Sequence, residues 1–232
     1  MQVKLIAYTK DPEKVVAAAI RQCYSADSAA KMKNKLTAAE RAKLIKMVIA
    51  SGHTSTIEHV SFTFAVSGVS RVLTHELVRH RIASYSQQSQ RYINGQNFGF
   101  VVPPKISANK EARKIFEATI KDLGKKYEQL IQLGIPKEDA RFILPNATDV
   151  KMVITMNARA LFNFLARRMC NRAQWEIRSL AYAMHRELLK VAPHIFKYAG
   201  PTCKTEGICW EGERHCGLPQ KDKSIKLLSH VK

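Results

Sequence analysis

The sequence predicts an α+β protein: a mixed or antiparallel sheet flanked by long helices, with a Cys-containing tail at the C-terminal end. Three observations lead there. Segments with the two-residue period of a half-buried strand are few, and they lie between longer stretches of helical period. The order of elements shows no βαβα alternation and no glycine-rich phosphate fingerprint, which excludes a Rossmann-type sheet. From Gly200 onward apolar periodicity disappears and Cys, Gly, Glu and Lys dominate. A length of 232 residues then reads as a single domain, residues 1–200, carrying a small appendage, residues 201–232.

Met1 to Tyr8 read as a strand that lacks the long apolar run and cleavage site of a signal peptide. No stretch approaches the roughly 18 apolar residues that span a bilayer, so a cytoplasmic location without a membrane partner is expected. Asp11-Pro12-Glu13 starts a helix, with Asp11 as N-cap and Pro12 preset at the first helical position, and Val15, Val16, Ala19 and Ile20 facing inward. Thr37 and Glu40 form a capping-box pattern that opens a helix through Leu44, Ile45 and Val48, ended by Ser51-Gly52. Val60 to Val66 alternates apolar and small polar residues as a strand does. Ser70 caps a helix through Val72, Leu73, Leu77 and Val78, which leaves Arg79-His80-Arg81 at or beyond its end. Ala83 to Asn97 is polar and aperiodic, and a loop of that length in a compact domain is usually functional. Asn109 to Leu133 reads as a long amphipathic helix with Ile115, Ile120, Leu123, Tyr127 and Leu130 on one broad face. A shorter helix starts at Pro136 and stops before Pro145. Val150 to Met156 is a strand, and helices follow over Ala158–Met169 and Gln174–Val191.

A 46% hydrophobic, 25% charged composition excludes wholesale disorder and a fibrous repeat. The net charge of +19 favours anionic partners: nucleic acid, nucleotides, phosphorylated cofactors or polycarboxylates. Its densest concentration is Arg79-His80-Arg81 followed by Ser84, Tyr85, Ser86, Gln87, Gln88, Ser89, Gln90 and Arg91. Guanidinium forks match phosphate oxygens bidentately, and Gln and Ser read amide edges of a base or flavin. A second concentration runs from Asn157 through Arg159, Asn163, Arg167 and Arg168 to Arg172. Between Lys151 and Lys190 eight basic residues face two acidic ones, too few for a salt-bridged surface. Arg159, Asn163 and Arg167 form one row at i, i+4, i+8.

Gly52-His53 to Glu58-His59 has metal-ligand residue types, but His-Glu-x-x-His is absent and no metal is assigned. No Gly-x-Ser-x-Gly elbow occurs, and Ser89 lacks a recognisable base. Cys203, Cys209 and Cys216 are separated by five and six intervening residues, unlike the paired spacing of a zinc ribbon, although Cys170 or His215 would supply a fourth ligand. Free thiols, a disulfide and a structural metal all stay open for them.

Arg79-His80-Arg81, seven residues and then Ser89 form an RHR-x7-S pattern, and by it the chain resembles the flavin-dependent thymidylate synthases. Other stretches match in order: Gly52-His53 to Glu58-His59, Ala140-Arg141 to Leu144-Pro145, Asn157-Ala158-Arg159 with Asn163, and Ala173-Gln174-Trp175-Glu176-Ile177. Together they cover about residues 1–200 and leave the tail outside. The resemblance implies methylation of dUMP at uracil C5, with methylenetetrahydrofolate giving the carbon, NADPH reducing a bound FAD, and a homotetramer whose subunits share active sites. It also implies that no enzyme nucleophile adds to the ring, because the cofactor carries the hard chemistry.

Residue by residue, the resemblance makes Arg168 the arginine set against the pyrimidine, stabilising its anionic form. Glu76, Arg79, Gln87, Gln88, Ser89, Gln90, Arg91, Arg141 and Arg168 match dUMP-binding positions. Ser55, Glu58, Arg79, His80, Arg81, Gln87, Asn157, Arg159 and Asn163 match FAD-binding positions. Glu76 departs from a glutamine found in several members, and Arg172 from a histidine near the flavin. Two rival readings remain. One is a basic single-stranded nucleic-acid-binding protein, using Tyr85 and Tyr92 among Arg and Gln to stack bases. The other is a related flavin-dependent uridine methyltransferase acting on tRNA; the nucleotide-sized anion site around Ser89 and Arg141 favours free dUMP over nucleic acid.

Overall fold

A computed structural model of the chain describes residues 1–92 and 98–228. In order, the elements are β1 (Gln2–Tyr8), α1 (Pro12–Gln22), α2 (Ala29–Met32), α3 (Ala38–Ala50), a 3-10 turn over Thr54–His59, β2 (Ser61–Ser70), α4 (Arg71–Leu77) and β3 (Ser84–Gln87). There follow α5 (Pro104–Ser107), α6 (Lys110–Gln132), α7 (Lys137–Ala140), a 3-10 turn over Arg141–Ile143, β4 (Asp149–Asn157), α8 (Ala158–Arg168), α9 (Trp175–Val191) and α10 (Pro193–Phe196). The tail carries α11 (Thr202–Thr205), β5 (Ile208–Cys209), a 3-10 turn over Gly212–Arg214, α12 (Leu218–Lys221) and β6 (Lys226–Leu227). Four strands pair in the order β1-β2-β4-β3, which makes the architecture α+β as expected. Among the described residues no helix is long and apolar enough to cross a membrane.

The chain forms two compact units. The first gathers Met1–Gln2, Ala65–Arg79 and Tyr85–Ile154; the second gathers Val3–Phe64, His80–Ser84 and Thr155–Lys232.

In the first unit the end of β2 leads directly into α4, and Ser70 Oγ accepts from the Leu73 amide at 3.1 Å, the cap that the sequence predicts. Gly68 has φ +67°, and a Cβ there would meet Met1 N at 3.3 Å, so this position needs glycine on two counts. The long helix α6 is capped by Asn109, whose Oδ1 accepts from the Ala112 amide at 3.0 Å. Ile120 and Tyr127 are its buried residues. Ile115 is 68% exposed, against expectation. At 100° per residue, Ile120 and Tyr127 point within about 20° of each other, whereas Ile115 lies about 140° from Ile120.

In the second unit the capping box of α3 forms as expected, with the Glu40 amide on Thr37 Oγ1 at 3.3 Å and the Thr37 amide on Glu40 Oε2 at 2.8 Å. Asp11 occupies the N-cap position of α1 but does not cap. Its φ of 52° is left-handed and its side chain makes no cap hydrogen bond; instead it accepts from Lys14 Nζ at 3.5 Å. The buried stripe of α1 is Val16, Ala17, Ala18 and Ile20, with Val15 and Ala19 half-buried at its edge, so the face is rotated from the expected one. Phe62 and Phe196 meet edge to face at 5.1 Å, and Leu161, Phe164 and Leu165 of α8 are fully buried. Removing each such ring or branched chain costs a buried apolar contact worth about 2–5 kcal/mol.

The tail is not without order. β5 and β6 pair in parallel, Ile208 opposite Lys226 and Cys209 opposite Leu227, and Cys209, Pro219 and Ile225 are buried.

Candidate functional site

The RHR motif leaves α4 where the sequence places it. The helix ends at Leu77, and the Val78 amide makes the last helical bond to Thr74 O. The polar stretch after it is not all loop: Ser84–Gln87 is strand β3, and the Gln88 amide bonds Lys151 O at 2.9 Å. Residues 93–97 of the expected loop lie outside the described residues. Tyr85, read from sequence only as a stacking ring, donates its hydroxyl to Leu77 O at 2.9 Å and so ties the two flanks of the motif together. Burial pushes that phenol up to about 12, so it stays a donor at neutral pH.

The first unit gathers the residues expected to bind an anion. Glu76 is half-buried on the last turn of α4 and Arg79 is exposed just beyond it. Gln87 ends β3, and Gln88, Ser89, Gln90 and Arg91 follow. Ser89 Oγ accepts from the Arg91 amide at 3.2 Å, and the Arg91 guanidinium meets Glu138 at 2.7 Å and lies 5.8 Å over the Tyr92 ring. Arg141 donates Nε to Glu138 O at 3.1 Å. Glu138 thus organises Arg91 through its carboxylate and Arg141 through its carbonyl, although nothing in its sequence context singles it out. Arg71 joins this set unforeseen. Its guanidinium is held below the ordinary arginine range, by burial first and then by the charge of Arg141. Two like charges brought together are destabilising until an anion enters between them. Gln87 adds a second sign of a missing partner: its Nε2 is buried with no hydrogen-bond partner among the described residues. Such an orphan donor costs about 1–3 kcal/mol, which a ligand acceptor would recover.

The second unit carries the rest. Asn157 caps α8, its Oδ1 accepting from the Ala160 amide at 2.8 Å. Arg159, two residues further on, pairs with Glu58 Oε1 at 2.5 Å. Both partners are nearly half exposed, so the pair contributes at most about 1 kcal/mol and can open toward a ligand. Ser55 and Glu58 lie on the 3-10 turn anchored by buried Ile57. At the other end of α8, Arg168 Nε donates to His80 Nε2 at 3.0 Å, while the His80 ring stands edge-on to Phe164 at 5.0 Å. The accepting Nε2 requires an imidazole protonated at Nδ1 alone. Burial first, then the charges of Arg168 and Arg167, hold the His80 pKa down to about 4, so that neutral form prevails at pH 7. Asn163, Arg167, Arg168 and Arg172 also line a cleft of about 550 Å³, with Trp210 and Glu211 on its tail side. That volume suits a ligand of cofactor or substrate size. Arg81 is exposed.

The Ala173-to-Ile177 stretch has a structural explanation. Gln174 Oε1 accepts from the Glu176 and Ile177 amides at 2.8 and 3.2 Å and so caps α9, while Glu176 and Ile177 are buried.

The depressed His80 gives a testable pH dependence. In the folded state this imidazole binds fewer protons than in the unfolded chain between pH 4 and 6.5. Its contribution is therefore fully present above pH 6.5 and is lost as pH falls to about 4. Denaturant midpoints measured across that window should fall with pH in the wild type. His80→Gln, which keeps an acceptor for Arg168, should show a shallower fall; an unchanged slope would mean that His80 is not the group responsible.

Comparison with known proteins places the arrangement. The family model described as thymidylate synthase complementing protein matches residues 4–194. A flavin-dependent thymidylate synthase of Geobacter sulfurreducens is 48% identical over 227 residues, covering 97% of each chain. One of Clostridium tetani is 46% identical over 243 residues, covering 98% of this chain and 97% of its own. One of Pyrococcus abyssi is 40% identical over 240 residues, covering 98% of each chain. The rival nucleic-acid reading gains no support from these relatives. With its RHR-x7-S motif, its ordered partner motifs and relatives matched over nearly their full length, the chain belongs to the flavin-dependent thymidylate synthase family.

Proposed function

We propose that this chain converts dUMP to dTMP as a cytoplasmic homotetramer, with FAD as cofactor and methylenetetrahydrofolate and NADPH as co-substrates. The observation that carries the mechanism is the contact between Arg168 and uncharged His80. Uracil C5 attacks a one-carbon unit only when electron density is pushed into the ring, and a fixed cation beside the pyrimidine lowers the cost of that charge. His80 fixes it: accepting from Nε sets the plane of the guanidinium, and staying neutral adds no second positive charge beside Arg168. When bound and reduced, FAD supplies the hydride that completes the methyl group.

The remaining residues bind and orient. Arg91, Arg141 and Ser89 hold the dUMP phosphate, with Arg79, Gln88, Gln90 and Glu76 completing the nucleotide site. Gln87 offers its buried, unpartnered amide to a ligand acceptor. Ser55, Glu58, His80, Arg81, Asn157, Arg159 and Asn163, joined by Arg79 and Gln87 of a neighbouring copy, hold the flavin. Support for shared sites comes from apolar residues left open beside the charged ones: Phe142 is 83% exposed next to Arg141, and Ile82 is 70% exposed next to Arg81. The division into a catalytic region, 1–200, and an appended tail, 201–232, belongs to the same reading.

A visible spectrum of protein supplemented with FAD and desalted, recorded before and after dUMP, tests it. A retained flavin band that dUMP perturbs supports one site for both ligands; failure to retain flavin under any condition overturns the assignment.

A further inference from the structure

The matched family model ends at residue 194, short of the tail. All five cysteines are free thiols. Four of them, Cys170, Cys203, Cys209 and Cys216, line one small, largely enclosed cavity of about 20 Å³. They arrive from separate places in the fold: the turn after α8, α11, β5 and the loop before α12. One water needs roughly 10–15 Å³ by the same measure, so the cavity admits a single atom-sized occupant and no organic ligand.

We propose that these four cysteines bind one zinc ion as a structural site that fastens the tail to the end of α8. An all-sulfur set of four selects a soft, tetrahedral ion of the zinc class. Two donors already address the sulfurs. The Arg172 amide points to Cys170 Sγ at 3.5 Å, and Asn171 Nδ2 to Cys216 Sγ at 3.8 Å. Donors of this kind orient metal-bound thiolates and tune their charge. Four thiols release their protons to solvent as four Zn–S bonds form, and a charge of two minus remains on the site. Arg172 and Lys204 line the cavity to offset it, with Glu211 as the opposing charge. Among the described residues no three ligating groups are already set to hold a metal. Loading therefore includes a rearrangement of the thiols around the ion. Because Cys170 stands two residues after Arg168, the ion would also stiffen the exit of the helix that carries Arg168.

The test uses the intact chain, purified under reductant with zinc in the medium, desalted and analysed for metal. One zinc ion per chain is expected. Exchange for Co²⁺ should give thiolate charge-transfer absorption and the intense visible bands of a tetrahedral site. Cys203→Ser and Cys209→Ser should each lose the retained metal, while Cys23→Ser, outside the cluster, keeps it. Wild type that holds neither zinc nor cobalt, that holds iron instead, or whose four thiols are paired in disulfides on alkylation mapping would overturn the proposal. None of these readouts depends on turnover, so its failure is separable from failure of the dUMP reading.

Discussion

Arg168→Ala should lower kcat by roughly 100- to 1,000-fold, the usual loss when one preorganised charge or donor aimed at a developing anion is removed. Flavin retention and folding should survive. Arg168 is the last residue of α8 and part-buried against His80, whereas the fully buried residues of that helix, Leu161, Phe164 and Leu165, are untouched by the change. Arg168→Lys separates charge from geometry: an ammonium keeps the positive charge but cannot keep the planar fork that His80 orients. Its activity should fall between wild type and the alanine variant. Steady-state rates, read beside the flavin absorbance of the desalted proteins, check both; an alanine variant with full activity removes the role given to Arg168.

Arg141→Ala should act on binding rather than on the chemical step. Losing a charge-assisted hydrogen bond to phosphate costs about 1.5–3 kcal/mol, so KM for dUMP should rise roughly 10- to 100-fold with a smaller change in kcat. The same variant should be slightly more stable than wild type in the absence of ligand, because Arg141 is a like-charged neighbour of part-buried Arg71. Opposite movements of affinity and ligand-free melting temperature are the mark of strain kept for function. If the variant binds dUMP normally, the phosphate lies elsewhere.

How much was legible in the sequence follows from how local each cause is. The Thr37–Glu40 capping box, the Ser70 cap and the end of α4 before Arg79 all rest on residues within four positions of one another, and all formed as expected. Strand β3 was hidden because Ser84-Tyr85-Ser86-Gln87 has no apolar alternation; its partner on β4, not its own composition, makes it a strand. Asp11 has the right residue type for a cap, but its left-handed backbone takes the side chain off the helix amides.

The candidate site divides along the same line. Charge density and helical spacing marked Arg159, Asn163, Arg167 and Arg168 as one basic face, yet the roles of single residues came from the family pattern and not from composition. The bond between His80 and Arg168 spans 88 positions, and no spacing rule reaches that far. Arg71 and Glu138 escaped notice for the same reason: each gains its meaning from a neighbour that only the fold supplies. The sequence grouped Cys203, Cys209 and Cys216 but left the fourth member open between Cys170 and His215, because Cys170 precedes the other three by more than thirty positions and only the fold brings it to their cavity.

The most direct measurement of the central claim is an anaerobic single turnover of the wild-type protein. Bound flavin is reduced stoichiometrically with NADPH, mixed with dUMP and methylenetetrahydrofolate, and followed by absorbance and by quenched product analysis. The account expects dTMP to appear mole for mole as the oxidised flavin band returns, with neither event when dUMP is omitted. Flavin that stays reduced with no dTMP formed, or dTMP formed without flavin oxidation, would contradict it.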